Sequence, residues 1–376
     1  MSLLDAESMF CLNDDIYLLN HSVGKLPRST REIFEQDYFS PWENADGDPW
    51  SRWLTIIENF QQALAQLFNG QPHEFCPQAN ISSALSKLLG ALQVSDKRKT
   101  LLYSENDFPS TGFVIQQAKR LGFNLKIIPK TLDPQDLNVW SDHLTNDISA
   151  VLIAHVHYNT SRLIAVEDIT RLCRQRGIFS VVDIAQSAGI VPIDLQTWSA
   201  DAVIGSSVKW LCGGSGAAYL WLKDEVAEHL APTDVGWFSH QSPFEFDINH
   251  FRYHSGALRF WGGTPSVAPY CMATNGINTI HGIGVDKIRR HNQQITQPLA
   301  EELHDYGHHL NTPLDPEIRG GTLVIKLAEK SDCKIQEKLR AQNIKFDARA
   351  LGIRISPHIY NSSRQIGVLR EALKLR

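Results

Sequence analysis

Short apolar runs alternate with helix-period segments through the middle of the chain. Leu101-Leu102-Tyr103, Leu125 to Ile128, Ala150 to Ala154, Phe179 to Val182 and Ala202-Val203-Ile204 each read as a buried strand. Between them, Thr111 to Leu121 and Val166 to Arg176 repeat apolar positions at helical spacing. Gly122 and Gly177 stand where a left-handed cap would end each helix. Strands apolar on both faces, alternating with helices, predict an α/β fold with a mostly parallel sheet covered by helices on both sides. Past Pro269 the pattern changes. One long polar helix is predicted from about Ala273 to Tyr306, then short strands at Thr322 to Ile325 and Ile353 to Ile355. The expected organisation is an N-terminal segment over residues 1–25 packing near the active site, a large domain over 26–268, and a smaller α+β domain over 269–376.

Length and composition narrow the class without naming a reaction. A chain of 376 residues with 43% apolar and 20% charged residues can bury two cores and still present an ordinary hydrophilic surface. Its net charge of −5 and lack of a Lys/Arg block argue against nucleic acid as a partner. No apolar run reaches membrane-spanning length, and Asp5, Glu7, Asp14 and Asp15 make the first residues unlike a signal peptide. The six cysteines are scattered with no Cys-x-x-Cys pair, so a reduced, cytoplasmic protein without a metal site is expected.

The chemistry concentrates around two residues. Asp183 closes the apolar run Val181-Val182, and Lys209 follows the Ala202 strand on a loop that ends in Gly213, Gly214 and Gly216. Strand ends of a parallel sheet are where ligands gather, and His155 and Glu105 fall at the same edge. A carboxylate and an amine placed this way suit pyridoxal phosphate. The amine forms a Schiff base with the cofactor, and the carboxylate keeps the pyridine nitrogen protonated so that the ring withdraws electrons. A surface lysine beside a turn is the plain alternative, but it leaves the coupled Asp183 unexplained. Asn80-Ile81-Ser82-Ser83 opens an apolar-periodic helix, Ala84 to Leu92, and offers free N–H groups and hydroxyls to a phosphate. A simple N-cap role for Asn80 or Ser82 is equally open from the residues alone.

From Val182-Asp183-Ile184-Ala185-Gln186-Ser187-Ala188-Gly189 through Pro192-Ile193-Asp194-Leu195 to Lys209, the sequence resembles the core of the class V aminotransferases. That fold-type I group includes kynureninases, cysteine desulfurases, isopenicillin-epimerase-like proteins and several transaminases. The resemblance extends from about Asn20 to Asn361. It implies pyridoxal 5′-phosphate as cofactor, with Lys209 and Asp183 as catalytic residues. It also implies a phosphate cup at Ile81, Ser82 and Ser83, further phosphate contacts from Ser206 and Ser207, and Phe108 stacked on the pyridine ring. Gln186 is similar to a glutamine that desulfurase-type relatives place near the phenolic oxygen, where kynureninases usually carry histidine. His155, Tyr158 and Asn159 fall where relatives touch that same oxygen, and His155 is as well explained as a structural hydrogen-bonder. Val208 replaces the Tyr or His of many relatives.

Gly236-Trp237-Phe238-Ser239-His240 resembles a kynureninase run, and Gly262-Gly263-Thr264-Pro265 resembles an element common to the family. The resemblance implies that Trp237 and Thr264 reach the phosphate of a neighbouring subunit, making a homodimer with composite sites. Core aromatic and helix cap are the plain alternatives for the two residues. Arg354, in Arg354-Ile355-Ser356-Pro357-His358-Ile359-Tyr360-Asn361, matches the arginine that grips the substrate α-carboxylate; Asn20 and His21 match a segment entering the site from the opposite side. The stretch Ile344 to Gly352 lacks the cysteine that desulfurases carry there. The reading is an enzyme acting on a small amino-acid substrate, expected to be an aminotransferase. A kynureninase-type hydrolase or lyase, an epimerase and a non-catalytic regulatory protein are the alternatives.

Overall fold

The apolar runs of the middle region become one twisted sheet. In the computed structural model, which describes residues 3–44, 47–306, 308–327 and 332–373, the strands in chain order are β1 (Ile16–Tyr17), β2 (Phe75–Gln78), β3 (Thr100–Ser104), β4 (Asn124–Ile128), β5 (Ile148–Ala154), β6 (Phe179–Asp183), β7 (Ala202–Ser206) and β8 (Ala218–Leu222). Seven of them form a sheet in the order β2-β8-β7-β6-β5-β3-β4. The pairs from β4 through β3, β5 and β6 to β7 are all parallel, and β8 runs antiparallel to both β7 and β2. Val151, Leu152 and Ile153 are all buried, as a strand covered on both faces requires.

Helix ends follow local chemistry. Val166–Arg176 carries Glu167 and Asp168 in its first turn and Arg174 and Arg176 in its last, matching the helix dipole. Gly177, at φ +60°, then stops it. The helix predicted from Thr111 instead starts at Pro109, runs to Gln117 and tightens into a 3-10 turn over Ala118–Leu121 before left-handed Gly122.

The long helix expected past Pro269 is two helices, Ala268–Ile283 and Val285–Asp305. Gly284 breaks it with φ +93°, a conformation a helix cannot continue through. The two halves serve different cores. Tyr270, Cys271, Ala273, Ile277 and Ile280 join Phe60 and Phe68 in the large apolar cluster. Ile295, Leu299 and Leu303 join Leu323, Ile325, Ile353 and Ile355 in a smaller one. The smaller cluster lies on a second sheet made by β9 (His309–Leu310), β10 (Leu323–Lys326), β12 (Asp347–Arg349) and β13 (Gly352–Ile355), ordered β12-β13-β10-β9 with antiparallel pairing throughout. β11 (Ile344–Lys345) instead takes β1 as a parallel partner.

The N-terminal segment ties these parts together. After β1, the Leu18 carbonyl accepts from the Ser356 N–H at 2.9 Å, and the Gly24 N–H donates to the Val208 carbonyl at 2.9 Å. Gly24 is required by space: a Cβ there would lie 2.2 Å from the Lys209 carbonyl and 2.6 Å from Cys212 Sγ. The strap thus presses directly on the loop that carries Lys209.

Candidate active site

Asp183 and Lys209 arrive from neighbouring parallel strands. Asp183 is the last residue of β6, and its Oδ1 accepts the Ala185 N–H at 2.8 Å. Burial raises its carboxyl above the usual value, opposed by that bond and by the nearby Lys209 charge. Lys209 follows β7 on a loop closed by the Gly213 N–H bond to the Ser207 carbonyl, 2.8 Å. Burial lowers the Lys209 ammonium below its usual value; Asp183 opposes this and Arg354 adds to it. A lysine so tuned holds more free amine at neutral pH, which favours nucleophilic attack on an aldehyde. Its Nζ lies 5.6 Å from the Phe108 ring centroid.

Both residues line one cavity of about 200 Å³. Phe108 forms a wall of it and meets Tyr158 edge-on, at 5.2 Å and 88°. Gln186 lines it as well, and its Nε2 donates to the His21 carbonyl at 3.0 Å. The lining also includes Asn80, Ile81 and Ser82, and Ser206 from the end of β7. The Asn80 side chain caps the helix Ile81–Ala91 by accepting the Ser83 N–H at 2.8 Å. That leaves the N–H groups of Ile81 and Ser82 at the positive end of the helix without intrahelical acceptors.

This donor set fits pyridoxal phosphate. The helix N-terminus with the Ser82 and Ser206 hydroxyls suits a phosphate, Asp183 a protonated ring nitrogen, Phe108 a flat ring, and Lys209 an aldehyde.

A second group of side chains stands beside the cavity. Arg354 is buried on β13; its Nη1 donates to the carbonyl of cavity-lining Tyr158 at 3.1 Å, and its Nε to Asp347 Oδ2 at 2.9 Å. His21 is buried with Nδ1 2.6 Å from Ser356 Oγ and Nε2 3.5 Å from Asp347 Oδ2. Burial is the main cause that lowers its pKa. Asn20 donates to the Ser356 carbonyl at 2.8 Å and accepts from the Tyr360 hydroxyl.

The family model for class V aminotransferases matches residues 16–371. The chain belongs to the class V aminotransferases. It is therefore a pyridoxal-phosphate-dependent enzyme. Among curated relatives, an uncharacterized aminotransferase of Bacillus subtilis, YcbU, is 26% identical over 85% of this chain and 84% of its own length. A kynureninase of Deinococcus radiodurans is 28% identical over 88% and 84%. Among solved structures, the apo cysteine desulfurase of Thermococcus onnurineus NA1 superimposes with TM-score 0.87 at 19% identity, covering 98% of each chain. The cystine C-S lyase C-DES, in complex with cysteine persulfide, gives 0.86 at 21%, covering 96% and 97%. These structural likenesses concern the fold.

Several residues expected in the site of this class V enzyme fall outside the cavity lining. Ser207 follows Ser206 directly and takes the opposite side of the chain: it is fully buried, and its hydroxyl donates to the Ala217 carbonyl at 2.8 Å. Ser83 spends its N–H on Asn80. His155 packs edge-on against Trp198 at 4.9 Å, and burial pushes its pKa down to about 3. Asn159 also lies outside the lining. Glu105 turns away to Lys130, accepting its N–H at 3.0 Å. Trp237 and Thr264 stand apart from the cavity and meet each other, Trp237 Nε1 donating to Thr264 Oγ1 at 3.3 Å. Ser110, Thr111 and Val156 line the cavity without having been singled out in the sequence. The first two follow Phe108-Pro109, a helix-start signal that could have located them.

Proposed function

We propose that this enzyme is an aminotransferase acting on a free α-amino acid. The observation that carries the reading is the cavity itself. Asp183 and Lys209 face it together, and Lys209 is the lining residue suited to take a proton at neutral pH. When bound, the cofactor supplies an electron sink for the pair left at the substrate Cα. Ile81, Ser82 and Ser206 would hold its phosphate, Phe108 would cover its ring, and Gln186 and Tyr158 would meet its polar groups. Asp183 holds the proton on the ring nitrogen. Arg354 receives the substrate α-carboxylate, because a guanidinium fork binds a carboxylate through two parallel bonds. With the cofactor bound, Lys209 would be the group to take the Cα proton and give it back at the cofactor, the single-base shuttle that transamination needs.

A desulfurase that takes sulfur onto its own chain calls for a mobile thiolate. Cys212 is buried with its thiol pushed far up by burial, and exposed Cys333 sits on the helix Asp332–Ala341, away from the stretch before Arg354. A kynureninase-type hydrolase is the second reading, favoured by the Tyr158 phenol in the lining and by the kynureninases among the relatives. One product assay separates them. Keto acid that forms only when an amino acceptor is supplied is the expected result; anthranilate and alanine from kynurenine would establish hydrolytic cleavage instead.

The same reading makes the enzyme a cytoplasmic homodimer in which Trp237 and Thr264 serve the phosphate site of the neighbouring copy. Support comes from their position outside their own chain's cavity and from exposed Val235, Phe244, Phe246 and Ile248 beside them. Mixing inactive Lys209→Ala and Trp237→Ala chains should regenerate one intact site per heterodimer and recover part of the activity. No recovery despite proven subunit exchange would place both residues in one site.

A further inference from the structure

The guanidinium of Arg354 already has a carboxylate partner. β12 pairs with β13 in a register that sets Asp347 opposite Arg354, and Asp347 Oδ2 accepts from both Nε and Nη2. Nη1 is engaged by the Tyr158 carbonyl. A guanidinium offers five N–H bonds in a rigid fork. Asp347 takes its side edge, Tyr158 takes one bond of the far nitrogen, and one bond on each terminal nitrogen remains. Those two can donate to a single further carboxylate.

Charge tells the same story. Three cationic or donor groups converge on one oxygen: Arg354, Arg349 through Nε at 3.1 Å, and His21 Nε2 at 3.5 Å. His21 is held toward its neutral form by burial, so two arginines face one carboxylate and the cluster keeps one surplus positive charge. The Asp347 carboxyl is itself held well below the usual carboxylate range, first by the close His21 ring and then by both arginines, so it stays ionised at any working pH. One incoming carboxylate balances the surplus. A second would meet Asp347 as a like charge.

We propose that Asp347 is a specificity residue: it fixes the fork of Arg354 and restricts the site to amino acids whose α-carboxylate is their only negative charge, against acidic amino acids. This rests on the reading that Arg354 receives the α-carboxylate. Replacing Asp347 by asparagine keeps the shape and an acceptor oxygen for Arg354, so a merely structural role survives the change. What disappears is the negative charge, which leaves the side edge of Arg354 and the exposed Arg349 to attract a second carboxylate.

The test titrates holoenzyme with L-alanine and L-aspartate as probes, reading dissociation constants from the cofactor absorbance and, independently, by calorimetry. The quantity compared is the ratio of the two constants within each protein, so an overall loss of affinity cancels. Wild type should favour L-alanine, and Asp347→Asn should shift the ratio toward L-aspartate by about 10–100-fold, the scale of a close, partly screened charge pair. Asp347→Glu should restore the wild-type preference. An unchanged ratio in Asp347→Asn would overturn the proposal. Arg354→Ala separates the two levels of the argument. If it leaves L-alanine affinity intact, the carboxylate reading of Arg354 fails. If it abolishes that affinity while Asp347→Asn leaves the ratio unmoved, the specificity role alone fails.

Discussion

Lys209→Ala should abolish turnover and, with it, the borohydride-sensitive visible absorption of the wild-type protein. The amine is the group in the cavity able to bond covalently to the cofactor aldehyde, and alanine offers nothing in its place. It is also the proton carrier, a role worth roughly 10²–10⁴-fold by itself, so both losses compound. Phosphate contacts from Ile81, Ser82 and Ser206 are untouched, and the variant should still take up cofactor that dialysis removes more readily. Turnover of Lys209→Ala at wild-type rates, or a band that borohydride still locks irreversibly to the protein, would assign the covalent role to another lysine.

Asp183→Asn should separate binding from catalysis. The amide can keep the Ala185 N–H contact, so the fold and cofactor uptake are expected to persist. It cannot hold a positive charge on the ring nitrogen. Asp183 is buried, and burial magnifies what a fixed charge is worth compared with one in water. Losing such a preorganised charge costs about 10²–10³-fold in kcat. Little change in affinity for the cofactor should accompany that fall. An active Asp183→Asn enzyme would show that the ring nitrogen works without its proton.

The frame was legible in the sequence, and so was the meeting of Asp183 and Lys209 at one cavity, because both depend on local pattern. Val166–Arg176 could be bounded to the residue, since its charges, apolar spacing and Gly177 all agree. Asp183 and Lys209 were readable because strand ends and a glycine-rich loop mark their places. What escaped depends on parity or pairing. Ser206 and Ser207 are equivalent by composition, and only the alternation of side chains at the end of β7 sends one to the cavity and the other inward. His155 stands one residue past β5, where the backbone turns its ring onto Trp198. The break at Gly284 was hidden because apolar spacing continues on both sides of it. Asp347 gave no signal at all: it is an acidic residue in a charged stretch until strand register sets it opposite Arg354.

The N-terminal strap also bears on how the chain is made. Residues 16–24 are made well before their partners: Ile16 pairs with Ile344, and the Leu18 carbonyl accepts the Ser356 N–H. A contact spanning that much chain is slow to close and must wait until residues 344–356 have been made. The large sheet can assemble first, with Lys209 on its loop, while the strap stays unanchored on its distal side. A nascent polypeptide therefore cannot clamp the strap over the Lys209 loop before residues 344–356 have been made.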